Sequence, residues 1–207
     1  MIVQILVEGD GDERAVPELL RRFQLECGDF SLVFDHPIRR NRSDLVNEQS
    51  LRGAVRLALR QERGCDGILI VFDGDKDCPA SLAPRIRGWV QTEAPGIPSE
   101  IVIAHREFEA WFLGSLESLR GRRSIRQEAV APVEPESIRG AKERLKRSMI
   151  PGSKYVERTD QPALTALFDL AAAHRSCRSF RRMVRAFGLL ASAAGAEIGE
   201  WPPASWL

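Results

Sequence analysis

The chain has 207 residues, 43% hydrophobic and 29% charged, the make-up of a soluble globular protein with one core, or a core carrying a helical appendage. Its net charge of +1 gives no global basicity that would point to nucleic acid, so the distribution of charge says more than its sum. No apolar run approaches the ~18 residues of a membrane span, and the N-terminus enters a strand with no basic leader. No membrane partner and a cytoplasmic location are therefore expected.

Ile2 to Val7 is an apolar run, interrupted only by Gln4, that stops at Glu8-Gly9-Asp10-Gly11-Asp12. Such a run, rich in Ile and Val, predicts a strand buried on both faces of a parallel sheet. A helix to about Glu26 follows, with Val16, Leu19, Leu20 and Phe23 on one face and Asp12 or a neighbour as its cap. Gly9 and Gly11 are read as permitting the tight turn. The turn also brings a helix N-terminus beside the acids, where it could help to hold a phosphate. It lacks the pattern of a phosphate-binding loop.

Phe30 to Asp35 predicts a second strand, followed by an Arg-rich loop to about Asn47 and a helix from about Ser50 to Arg63, stopped by Gly64. Gly67 to Phe72 predicts a third strand, ending at Asp73-Gly74-Asp75-Lys76-Asp77. A helix from Cys78-Pro79 to about Glu93 and a fourth strand, Glu100 to Ala104, complete a β-α-β-α-β-α-β order. That order predicts an α/β protein with a mostly parallel sheet covered on both faces.

Beyond His105, Arg106 to Leu113 reads as a short helix that would bring Glu107 or Glu109 to the carboxyl edge. His105 and Glu109, four residues apart, could share a helix face as a ligand pair, though capping and salt bridging serve equally for either alone. Residues 121–135 look like a mobile linker or lid. Helices are expected over Glu136 to Arg147, Pro162 to His174 and Ser179 to Phe187. The tail after Trp201 carries two tryptophans and is expected to dock on the body or on a partner.

Parallel strands point their carboxyl ends the same way, so Glu8 and Asp73 should emerge at one edge, where ligands sit in open α/β sheets. Two unit charges ~4 Å apart repel by roughly 4 kcal/mol at an effective dielectric near 20. A hard divalent cation removes that cost and leaves positions for water and phosphate oxygens. Asp10 and Asp35 read instead as capping or solvated acids. Asp73-Gly74-Asp75-Lys76-Asp77 is not a calcium loop, because the later Gly and Glu of that pattern are missing.

Of the 30 basic residues 26 are arginine. Arg39-Arg40-Asn41-Arg42 and Arg175, Arg178, Arg181, Arg182, Arg185 form clusters that suit phosphate or reflect a bias placed on solvated faces. Phe108, Trp111 and Phe112 have a spacing that favours core packing over base stacking. Tyr155, the only tyrosine, follows Gly152-Ser153-Lys154 in a motif that could carry a covalent mechanism, grip a phosphate or position a lid. Cys27, Cys65, Cys78 and Cys177 have neither zinc nor disulfide spacing and are expected as reduced, packed thiols.

Val7-Glu8-Gly9 with Asp12 resembles the VEGxTE signature of Toprim-like proteins, with Asp where the pattern has Glu, and Asp73, Asp75 and Asp77 match its DxDxD turn. Together with Cys78-Pro79-Ala80, Glu107 to Leu113, Gly140 to Leu145 and Ser179-Phe180-Arg181-Arg182, the chain resembles the bacterial Toprim-like family termed domain of unknown function 4276. The resemblance implies a Toprim fold, shared with topoisomerases, primases and the nucleases of the overcoming-lysogenization-defect type. It implies a Toprim-like domain over residues 1–114 and a helical extension or lid over 115–207.

It further implies Mg²⁺ (or Mn²⁺)-dependent cleavage of nucleic acid, with Glu8, Asp73 and Asp75 catalytic. Metal ligands would come from Glu8, Asp12, Asp73, Asp75, Asp77 and Glu109, one ion on Asp73 and Asp75 and a second near Glu8 and Asp12. Arg39, Arg40, Arg42, Lys76 and Lys154 would hold substrate. An ATPase partner in a phage-defence system is expected by analogy only, and a homodimer stands as a further option. The alternatives are a non-catalytic module that binds nucleic acid or an ATPase, and a small-molecule phosphotransferase or phosphatase.

Overall fold

The computed structural model describes residues 1–207. In chain order the elements are β1 (Ile2–Val7), α1 (Asp12–Cys27), β2 (Val33–Phe34), β3 (Ile38–Arg39), α2 (Arg42–Leu45), α3 (Glu48–Leu59), β4 (Gly67–Asp73), α4 (Pro79–Glu93) and β5 (Ser99–Ala104). They are followed by α5 (Glu109–Leu113), α6 (Ala141–Arg147), α7 (Glu157–Thr165), α8 (Leu170–Ser176) and α9 (Arg178–Ala193). Every strand pairing is parallel, in the order β2-β1-β4-β5, with β3 also against β1.

The long apolar runs are buried on both faces, as a parallel sheet requires. Val3, Ile5, Val7, Leu69, Val71, Val102 and Ala104 join one core with α1, α9 and the helices beyond α5. The alternate residues Leu6, Ile68, Ile70, Phe72, Ile101 and Ile103 join a second core with α3 and α4. A slip of one residue would exchange the two sets, so the packing itself pins the register Val7↔Val71 and Val71↔Val102.

The expected second strand is shorter than Phe30 to Asp35, and its continuation lies in what reads as an Arg-rich loop. Both β2 and β3 pair with β1, and between them Pro37, which has no N–H to give, interrupts the ladder. The helix expected to reach Arg63 ends at Leu59. Its last turn tightens, with Arg60 N–H on Leu57 O and Gln61 N–H on Ala58 O, and Gly64 (φ +95°) then turns the chain into β4. Asn47 caps α3 by accepting from Ser50 N–H at 3.0 Å. Asn47→Ala should cost about 1 kcal/mol, read as a melting temperature lower by about 2–4 °C.

His105 does not begin a helix. Arg106 is left-handed (φ +67°), which separates His105 from α5, so His105 and Glu109 share no helix face. The third expected helix, Pro162 to His174, is two helices, α7 and α8, broken between Thr165 and Leu170. Residues 121–135 are tacked to the body: Ile125 and Ala129 are buried, and Ile125 bridges Met149.

The aromatic residues are core. Trp111, Phe112, Phe168, Phe180 and Phe23 meet edge to face in a chain that ends on the tail tryptophans Trp201 and Trp206. The Trp111 indole N–H donates to Ser179 Oγ at 2.8 Å and Trp206 is 4% exposed, so the tail docks on its own body. No helix is long and apolar enough to cross a membrane.

Candidate functional site

Because β1 and β4 are adjacent and parallel, their acidic ends leave the sheet side by side. The Glu8 carboxylate accepts from the Asp73 N–H at 3.4 Å, and Asp73 Oδ1 accepts from the Phe108 N–H at 2.8 Å, tying the ends of β1, β4 and the β5–α5 turn together. The convergence expected of Glu8 and Asp73 is therefore present. Asp12 and Glu109 stand with them, at 7% and 2% exposure.

Asp12 is the first residue of α1 and does not cap it. Its Oδ2 turns back to accept from Gly9 N–H at 3.0 Å, while Oδ1 accepts from the Gln161 amide at 2.6 Å. Neither Gly9 nor Gly11 needs a left-handed backbone. Gly11 is required for space instead: a Cβ there would overlap the Gln161 side-chain oxygen and lie 3.1 Å from Glu157 O. Gly11→Ala should push α7 from α1 at a cost of about 1–3 kcal/mol. The check is thermal unfolding, where an unchanged melting temperature would contradict the tight fit.

The helices beyond α5 complete the site. Lys142, on α6, pairs with Glu157, and its backbone N–H reaches Glu107 Oε2 at 2.8 Å. Its charge offsets part of the rise in pKa that burial gives Asp12 and Glu109. The buried Tyr155 hydroxyl faces Glu109 without closing a hydrogen bond. Burial first, then the Glu109 charge, hold this phenol far above its usual range, so it is a neutral donor and not a nucleophilic phenolate.

Withdrawal from water is the largest cause of raised pKa at Glu8, Asp12, Asp73 and Glu109. At Asp73 the charges of Asp12, Glu109 and Glu8 add to it, while the Phe108 N–H opposes. The four acids offer oxygen ligands only, the chemistry that a hard divalent cation takes. No three acidic, His or Cys side chains form a ready-made cage. Mg²⁺ does not demand one, since one or two carboxylates plus water and phosphate oxygens commonly suffice.

The Asp73-to-Asp77 loop is organised by Arg42. Its guanidinium reaches Asp75 Oδ2 at 3.1 Å and Asp77 Oδ2 at 2.5 Å and donates to the carbonyls of Asp73 and Gly74. Gly74 lies so close to β5 that a Cβ would sit 2.9 Å from Ala104 O. Asp75 is left-handed (φ +50°), and its N–H bonds the carbonyl of the equally left-handed Arg106 at 3.0 Å. Two such residues braced against each other at a sheet edge are held there by the surrounding structure.

The basic residues expected to hold substrate are placed variously. Arg39 pairs with Asp10 and faces Glu13, and Arg42 is engaged as above. Arg40 donates to Arg39 O, and Lys76 and Lys154 are exposed. Lys142 and Gln161 were assigned no role from sequence. Nothing in their local pattern marks them, because each meets the acids through tertiary packing, Gln161 across 149 positions from Asp12.

Fold and site thus define an α/β protein with a parallel sheet, a cluster of buried and half-buried acids at its carboxyl edge and a helical layer that closes over them. A family model described as "Domain of unknown function (DUF4276)" matches residues 7–187, and the chain belongs to that family. Comparison with curated proteins and with solved structures gives no match.

Proposed function

We propose that the acidic edge hydrolyses nucleic-acid phosphodiesters with Mg²⁺ or Mn²⁺, in a Toprim-like arrangement similar to that of overcoming-lysogenization-defect nucleases. The observation that carries this reading is the approach of the Glu8 carboxylate to the Asp73 amide at 3.4 Å, which joins two distant acidic segments at one rim. The cation, when bound, supplies Lewis acidity at the scissile phosphate and acidifies the attacking water.

Glu8 and Asp73 would provide the charged oxygens that hold it, with Asp75 as a further ligand. Asp12, Asp77 and Glu109 are the remaining candidates. Glu8, raised by partial burial and by Asp75 and Asp12 against the pull of the Asp73 N–H, is suited to accept a proton from water at its carboxylate. Arg42 positions the Asp75 and Asp77 loop. Tyr155 and Lys142 offer hydrogen-bond donors facing the acids. The same reading names a cytoplasmic phage-defence system and an ATPase partner, which rest on resemblance alone.

A second reading, a binding module for nucleic acid or an ATPase without catalysis, is favoured by the pairing of Asp75 and Asp77 with Arg42, which partly neutralises the loop without any cation. Incubating the protein with plasmid and with single-stranded DNA and RNA, in Mg²⁺ or Mn²⁺ against EDTA, separates the two. Cleavage only with metal supports hydrolysis. Binding with no cleavage in any metal supports the module.

A further inference from the structure

Three arginines of the second cluster in the sequence, Arg178, Arg181 and Arg185, lie on one stripe of α9. Arg178, Arg181, Arg185, Gly188 and Ser192 follow one another at helical intervals of three and four residues. Of the arginines on α9, only Arg182 finds a carboxylate, Glu100. Arg178, Arg181 and Arg185 are exposed and their guanidinium groups form no ion pair; Glu136, at the start of α9, accepts from the backbone N–H groups of Arg178 and Ser179 at 2.7 and 2.8 Å.

Arg181 is nevertheless fixed in place. One of its nitrogens donates to the carbonyls of His174 and Arg175 at 2.9 and 3.0 Å, which leaves the rest of the guanidinium fork free. Such a fork, held in advance, suits a phosphate.

The stripe runs into a groove of about 450 Å³ between α9 and the tail, floored by Val184 and Gly188 and walled by Ile198, Trp201 and Pro202. Arg181 and Arg185 line it and no carboxylate does; Glu197 and Glu200 belong to the same tail but lie outside the lining. Trp201 is anchored by its indole N–H on Val184 O at 2.8 Å and remains half-buried.

Unpaired guanidinium groups at helical spacing, ending in a groove that is cationic on one side and apolar on the other, match an extended polyanion with flat apolar groups. We infer that the Arg178–Arg181–Arg185 stripe and the groove against Trp201 bind single-stranded nucleic acid, phosphates on the arginines and an unstacked base in the groove. A duplex hides its base faces and is the poorer ligand here. The choice of polymer rests on the proposed function.

The test reads binding apart from cleavage. Fluorescence anisotropy with labelled oligo(dT) and oligo(rU), in EDTA, compares wild type, Arg185→Glu and Arg178→Glu. The wild type should bind both probes, with each arginine variant about tenfold weaker and less sensitive to salt, by about 0.7 in the log–log slope per lost phosphate contact. Arg185 makes no hydrogen bond or ion pair within the fold, so its variant should melt as wild type does.

The site is refuted if the wild type binds neither probe at low salt, if Arg185→Glu binds as tightly as wild type, or if duplex competes as well as single strand. Arginine-dependent binding with no cleavage in Mg²⁺ or Mn²⁺ leaves this site standing and removes the hydrolysis reading alone.

Discussion

Glu8→Gln and Asp73→Asn are each expected to lower metal-dependent cleavage by about 10²–10⁴-fold, the range for removing a positioned acid or base. Both substitutions keep an oxygen that can accept the same bond, from Asp73 N–H to residue 8 and from Phe108 N–H to residue 73. The fold should therefore survive, and what is lost is the charge that attracts a cation. Single-turnover cleavage under saturating Mn²⁺, beside a melting curve for each variant, is the measurement. Full activity in Asp73→Asn with an unchanged melting temperature would falsify the assignment of the reaction to this edge.

The second large effect concerns stability in the absence of metal. Glu8, Asp12, Asp73 and Glu109 all have raised pKa in the folded chain, chiefly from burial. Such groups bind more protons folded than unfolded, so their contribution is full below the ordinary carboxylate range, ~4, and is lost as pH rises through the raised values. Asp35, Glu93 and Glu143 are shifted downward, so the stability they add is lost on the acid side, as pH falls through their lowered values.

In EDTA the melting temperature should consequently fall as pH rises above the ordinary carboxylate range, ~4. Adding a divalent cation at neutral pH should reverse the fall. At 100 times its Kd a cation adds ~2.7 kcal/mol, or roughly 5–10 °C for a chain of this size. Asp73→Asn should flatten the pH dependence and shrink the cation shift. A wild-type melting temperature that rises steadily to pH 8 in EDTA, or a cation shift unaltered by Asp73→Asn, counts against the buried acids as the responsible groups.

The sheet was legible because its signal is local. Runs of five or six residues that end on an acid and are apolar but for Gln4 of β1 fit burial on both faces of a parallel sheet, and the two longest, β1 and β4, are neighbours in it. The stripe Val16, Leu19, Leu20 and Phe23 is buried to the last residue, and Phe108, Trp111 and Phe112 are core as their spacing indicates. The edge segments were less legible. β2 and β3 are two residues each, too short for alternation to register, and only pairing with β1 defines them.

The sequence by itself determined the α/β order, the register-forming apolar faces and the candidacy of Glu8 and Asp73, because each follows from neighbours along the chain. Only the tertiary structure decided that Lys142, Tyr155 and Gln161 close over the acids, that Arg42 neutralises Asp75 and Asp77 while Arg178, Arg181 and Arg185 stay free, and that the tail completes a groove. The physical reason is that an isolated side chain has no fixed electrostatic environment. Whether an arginine is spent on an internal carboxylate or left for a ligand, and whether an acid is solvated or buried among other acids, depends on residues brought near by packing from far away in the chain.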